Sequence, residues 1–254
     1  MVTPPSLPFA SYPVRPASFV AELGSTVVIV PHPDDEALGC GGLLALLHRA
    51  GQPSTAVLVS DGTMSHPASK LFLAPARRTV REAEFQEALR ILGIGDKPLL
   101  LGLPDSQVPA LAATPGFTEA VVQLREFLVS RKAATVLVPW RRDPHPDHRA
   151  TSQLVQAALV ELPHPHRRLE YVVWAWERAT PDDLPTAADN VRGFRLDIGT
   201  VVPQKQRAIA AHRSQVAPGI FTDDPAGFLL SSEMLAHFAG PHEVFFEALA
   251  PTAP

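Results

Sequence analysis

Five short aliphatic or β-branched runs recur along the chain: TVVIV (26–30), STAVLVS (54–60), PLLLG (98–102), ATVLVP (134–139) and LEYVVWAW (169–176). Each of the first four is followed by a segment whose apolar residues repeat with the helical period: Leu38 to Arg49, Pro75 to Leu92, Phe117 to Ser130 and Arg149 to Leu162. Runs this apolar have no face to offer water, so they need cover on both sides. Strands that alternate with helices of this length predict an α/β fold, a mostly parallel sheet with helices on both faces. Gly51 and Gly93 stand where helices should stop, and Pro115 stands where the third should begin. A further strand is expected at VRGFRLDI (191–198), with helices at Gln204 to His212 and Ala226 to Phe238. Residues 1–18 are proline-rich and aperiodic and read as an extended arm. With no internal repeat and no low-complexity linker, residues 19–254 read as a single domain.

Composition narrows the function. The 254 residues carry a formal net charge of −4, which argues against nucleic acid, because neutralising phosphates needs a basic face. Cys40 is the only cysteine, so an intrachain disulfide and a cysteine-built zinc site are both excluded. Any metal must be held by histidine and carboxylate. The N-terminus lacks the layout of a secretory signal, and no stretch reaches the ~20 apolar residues of a membrane span. The cytoplasm is the expected compartment.

Two strand ends carry chemistry. The run 26–30 leads directly into PHPDDE (31–36), and the run 134–139 leads into WRRDPHPDH (140–148). In open parallel sheets, ligands bind outside the carboxyl ends of the strands, so both clusters are delivered to one edge. A catalytic zinc takes three protein ligands and keeps a position for water. His32 and Asp35 can converge on one ion over the sharp turn, and His148 can close the triad. Asp34 is then a general-base candidate beside the water, and His145 can stabilise the oxyanion or protonate the leaving group. Asp147 suits a partner that fixes a histidine ring, a role compatible with capping the following helix. Glu36 reads as structural, in a first helical turn where the dipole favours an anion. Cys40, within GCGG, reads as packing where a helix passes close to the sheet; His66 reads as a loop or surface residue, and His212, taken on its own, as structural.

The two motifs together resemble the LmbE-like/PIG-L family of zinc-dependent N-acetylglucosamine deacetylases. The resemblance extends through DEALGCGG (35–42), Arg81-x-x-Glu84, LGLPDS (101–106) and KQRAIAAHRSQ (205–215). It implies a Rossmann-like fold with zinc ligands His32, Asp35 and His148 and Asp34 as general base. It further implies His145 at the tetrahedral intermediate, with Arg81 and Asp105 lining the sugar pocket. One departure stands out: some members place a tyrosine where this chain has Asp143, and Arg141 or Arg142 could take over that residue's polarising role.

The resulting expectation is a Zn2+-dependent hydrolase that removes the acetyl group from a small-molecule amino sugar conjugate. Another divalent ion such as Fe2+ would also suit two histidines and a carboxylate. A related amidase acting on a different acylated amine or thiol conjugate is the nearest rival, and a non-catalytic sugar-binding protein is the rival of another class. A magnesium phosphoacceptor fails on His32 and His148, since magnesium prefers oxygen ligands. Whether the chain forms a homo-oligomer is left open.

Overall fold

The computed structural model describes residues 7–162 and 166–249. Among them, eight strands form one sheet: β1 (Val14–Arg15), β2 (Thr26–Val30), β3 (Ser54–Ser60), β4 (Leu99–Leu103), β5 (Thr135–Pro139), β6 (Arg167–Tyr171), β7 (Val191–Asp197) and β8 (His242–Ala248). Their order across the sheet is β1-β7-β8-β6-β5-β2-β3-β4. All neighbours are parallel except β8, which runs antiparallel between β6 and β7. The helices are α1 (Asp35–Arg49), α2 (Ala74–Leu92), α3 (Phe117–Ser130), α4 (Pro146–Val160), α5 (Ala175–Arg178), α6 (Val202–Ala211), α7 (Arg213–Val216) and α8 (Ser232–His237). None of the described helices is long and apolar enough to cross a membrane.

The alternation of β2 explains the layering. Val28 and Val30 pack with Leu43, Leu47, Phe85 and Leu92 of α1 and α2 on one face. Val27 and Ile29 join Leu124 and Leu154 of α3 and α4 on the other. From β2 the chain proceeds outward through β3 and β4 on one side, then returns to build β5 and β6 on the other. The strand order therefore reverses between β2 and β5, which pair in register from Thr26 opposite Thr135. At such a switch point the two following loops diverge to opposite faces and leave a crevice. PHPDDE and RRDPHPDH are those two loops.

Three expectations need correction. The strand at 169–176 stops at Tyr171, because the Asp143 carboxylate accepts the backbone N–H groups of Val173 and Trp174 and turns the chain into α5. The helix foreseen from Ala226 begins only at Ser232, where the Ser231 hydroxyl accepts Met234 N–H as a cap. The strand β8 went unforeseen. At the other end, β1 pairs with β7, and Phe9 is buried with Trp140 and Phe246.

Helix α1 is broken at Cys40, whose φ of −146° is not helical. The break exposes fresh N–H groups at Gly42 and Leu43, and both donate to the Glu243 carboxylate of β8 at 2.6 and 2.8 Å. Lys205 Nζ, itself buried, balances that carboxylate at 2.8 Å. The small residues of GCGG are needed here. A Cβ on Gly39 would lie 2.3 Å from the Tyr171 ring, and one on Gly42 would lie 2.6 Å from Ile198.

Candidate active site

The loop after β2 is strained where it matters. Asp34 has φ 129° and ψ −31°, a region that non-glycine residues rarely enter and that costs of order 1–3 kcal/mol. Two groups hold it there. Its N–H donates to Glu36 Oε2 at 3.1 Å, and its Oδ2 accepts from Arg81 Nη2 at 3.2 Å. Arg81 is in turn fixed by Pro33 O and Gly62 O, at 2.5 and 2.9 Å. Glu36 is locked by His212 Nε2 at 2.6 Å. The fully buried Glu36–His212 pair thus has the structural role expected of both residues, and that role is to brace Asp34.

His32, Asp35 and His148 meet. His32 Nδ1 lies 3.3 Å and His148 Nε2 lies 3.1 Å from the same oxygen, Asp35 Oδ2. Donors held 2.0–2.1 Å from a tetrahedral ion are spaced by about 3.3 Å, and each histidine stands at that spacing from Asp35. His148 is fully buried, and neither of its ring nitrogens makes a hydrogen bond of good geometry, as expected of a ring oriented toward an ion. Among the described residues, the groups whose donor atoms all lie within 4.8 Å of one another are His32, His145 and His148, and His32, Asp105 and Asp147; Asp35 is in neither. Asp35 Oδ2 is the one atom that both His32 and His148 approach.

Asp147 is not the cap of α4. His145 has that position, and its Nδ1 accepts the Asp147 N–H at 3.2 Å. The Asp147 carboxylate instead contacts His32 Nε2 at 3.0 Å and accepts Ser106 N–H at 2.8 Å. Asp105 Oδ1 lies 3.4 Å from the same His32 nitrogen, and its Oδ2 accepts Met64 N–H at 2.8 Å.

The electrostatics follow from burial and these contacts. Burial pushes the Asp34 carboxyl up to about 7, with Arg81 opposing the shift and Asp35 adding to it. Burial together with the charges of His148 and His32 takes His145 down to about 4. Burial would also lower His148, but Asp35 and Asp143 outweigh it and raise the ring to about 9. His32 is raised too, its three carboxylate neighbours overcoming burial. Asp35 and Asp105 lie well below the usual carboxylate range despite burial, held there by the histidines. His145 is therefore neutral near pH 7, and since its Nδ1 accepts a backbone N–H, its hydrogen sits on Nε2.

The two loops open onto a single crevice, partly exposed to solvent. All eight residues singled out from the sequence are in or against it. His32, Asp34, Asp35, Arg81, Asp105 and His145 line the crevice, while Asp147 and His148 stand behind them. Arg141 pairs with Glu170 and Arg142 with Asp189, so neither reaches the pocket to replace a tyrosine. Residues not foreseen are Met64, Trp174, Arg178 and Phe228, which form the outer wall.

Asp143 was seen only as a departure. It is fully buried, with Oδ1 3.3 Å from His148 Nδ1 and accepting His145 N–H at 3.0 Å, while Oδ2 serves the turn after β6. Its signal was available: a third acid–histidine contact inside RRDPHPDH, at the reach of a carboxylate that orients a ligand ring. Asp143→Asn is expected to weaken metal binding by about 10–100-fold. Competition with a chelator would measure it, and an unchanged affinity would show that His148 needs no such partner.

The family described as GlcNAc-PI de-N-acetylase, PIG-L, matches residues 27–159, the span that contains both strand-end motifs. The 2'-N-acetylparomamine deacetylase of Streptomyces fradiae is 31% identical over 208 residues, covering 76% of this chain and 74% of that protein. The probable N-acetyl-alpha-D-glucosaminyl L-malate deacetylase 2 of Bacillus anthracis is 28% identical over 193 residues, covering 75% and 81%. The structure of N,N'-diacetylchitobiose deacetylase from Pyrococcus horikoshii shares the fold, with a TM-score of 0.63 at 24% identity over 79% of this chain and 74% of that one. This chain belongs to the PIG-L family. The named relatives are deacetylases of N-acetylated amino sugars, the reaction class that the two strand-end clusters suggest.

Proposed function

We propose that the chain is a metal-dependent N-deacetylase that hydrolyses the acetamide of an N-acetylglucosamine-type conjugate. The observation that carries this reading is the convergence of His32 and His148 on Asp35 with Asp34 and His145 in the same crevice. His32, Asp35 and His148 would hold the ion, and two imidazoles with one carboxylate suit zinc or iron(II). When bound, such an ion supplies Lewis acidity toward the amide carbonyl and makes water acidic near neutral pH.

The remaining work falls to the chain's own groups. Asp34, with its carboxyl near 7, takes a proton from the attacking water as the new C–O bond forms. His145 Nε2–H donates to the oxygen on which negative charge develops, and the neutral ring does so without taking up a second proton. Asp34 then returns its proton to the amine as the C–N bond breaks, leaving acetate and a free amino sugar. Arg81 keeps Asp34 aimed into the crevice, and Asp105 offers an acceptor to a sugar hydroxyl at the wall. Asp147 holds the His32 ring in place from behind.

The test is release of acetate from N-acetylglucosamine conjugates by loaded, metal-stripped and zinc- or iron-restored protein. Loaded and restored protein should yield acetate and free amine in equal amounts, and stripped protein should yield neither. Turnover that survives complete removal of metal would overturn the reading.

A further inference from the structure

The outer wall of the crevice carries a cation that the proposed chemistry does not use. Two arginines line this pocket, and they are disposed differently. Arg81 is buried and paired with Asp34. Arg178, on α5, is exposed and has no carboxylate within 4 Å among the described residues. Its guanidinium carbon lies over the Trp174 indole, 4.0 Å from the ring centre. Stacking of this kind fixes the plane of an arginine while leaving its N–H groups free at the edge, so little freedom remains to be lost when a ligand binds.

The indole that carries Arg178 is itself held in place. The Trp174 N–H of the backbone is bound by Asp143, and the ring stands 6.1 Å from His145 and 5.6 Å from Phe228, centre to centre. The guanidinium carbon is therefore no more than about 10 Å from the His145 ring, since the indole lies 6.1 Å from one and 4.0 Å from the other. A sugar whose acetamide sits beside His145 would extend its anomeric substituent across that distance. The three carboxylates that line the crevice, Asp34, Asp35 and Asp105, are each already paired, with Arg81, His148 and His32.

Building on the deacetylase reading, we infer that Arg178 is a specificity-determining residue that binds a carboxylate on the aglycone. A planar guanidinium meets a carboxylate through two parallel N–H···O bonds, which an uncharged amide of the same shape cannot reproduce. Because the site is open to solvent, the preference must also weaken with salt.

The experiment compares the carboxymethyl glycoside of N-acetylglucosamine with its isosteric carbamoylmethyl glycoside, using wild-type protein, Arg178→Ala and Arg178→Lys. For wild type, kcat/KM should favour the carboxylate at least tenfold, mostly through KM, and the ratio should fall as ionic strength rises. In Arg178→Ala the ratio should drop toward one, and Arg178→Lys should recover only part of it. Equal use of the two glycosides by wild type, or a ratio unchanged in Arg178→Ala, would overturn the inference and leave the deacetylase reading standing. If neither glycoside is hydrolysed, the deacetylase reading itself fails. Calorimetric binding of the same pair to the metal-stripped proteins then decides on Arg178 alone: a carboxylate preference lost in Arg178→Ala supports it, and no preference overturns it.

Discussion

Asp34→Asn should lower turnover of an N-acetylglucosamine conjugate by about 10²–10⁴-fold, the usual worth of a positioned general base, while metal content stays at the wild-type level. The substitution is close to isosteric and keeps an oxygen for Arg81. Asparagine also tolerates positive φ better than most residues, which matters at a backbone angle of 129°. What it removes is the ability to accept a proton from water. In the wild type that ability is tuned by burial, which lifts the carboxyl to about 7 before any ion is added. A bound dication pulls in the other direction, so the acidic limb of the rate profile should lie below 7 in loaded protein. Asp34→Asn should flatten that limb as well as lower the rate. A variant with normal metal content and a rate within tenfold of wild type would remove Asp34 from the chemistry.

Metal affinity should depend steeply on pH, because protons and the ion compete for the same nitrogens. His148 is raised to about 9 and His32 is also raised, so in metal-free protein at pH 7 both rings carry a proton between carboxylates. The sign follows directly. Below about 9 the ion must expel those protons, so affinity falls as pH falls, by up to about 100-fold per unit where two protons leave per ion. The same raised values mean that the protonated rings stabilise the metal-free fold at low pH. For His148 that contribution is complete below the unfolded value of about 6.5 and is lost as pH rises through about 9. Chelator competition at pH 6, 7 and 8, with proton release followed in weak buffer, would measure the effect. An affinity flat across that range would mean that these histidines are not the ligands.

Much of this was legible in the sequence because the signals were local. The bounds of β2 and β3 coincide with TVVIV and STAVLVS, and α3 with Phe117 to Ser130, since each run is apolar with a clear stop on either side. The two motifs were legible because a strand end fixes where its next residues go. What could not be read depends on partners distant in sequence. VVWAW has every propensity to continue as a strand, yet Asp143, some thirty residues earlier, captures its backbone N–H groups and bends it. The antiparallel insertion of β8 rests on pairing with both β6 and β7, which no property of HEVFFEA announces. His66 was expected in a loop or at the surface. It is in a loop but buried, because its ring packs over Gly227 and beside Phe221. The outer wall was invisible for the same reason, as Trp174, Arg178 and Phe228 come together only once α5 is in place.

The break in α1 has a consequence for the order in which the molecule can be made. The two N–H groups that the break leaves bare are satisfied by Glu243, 201 and 200 residues further along the chain. Until that carboxylate arrives, the helix that carries Asp35 has an unsealed seam in the protein interior. Synthesis therefore delivers the loop after β2 well before the strand that completes its mounting. The mounting of α1 is complete only when β8 has joined the sheet.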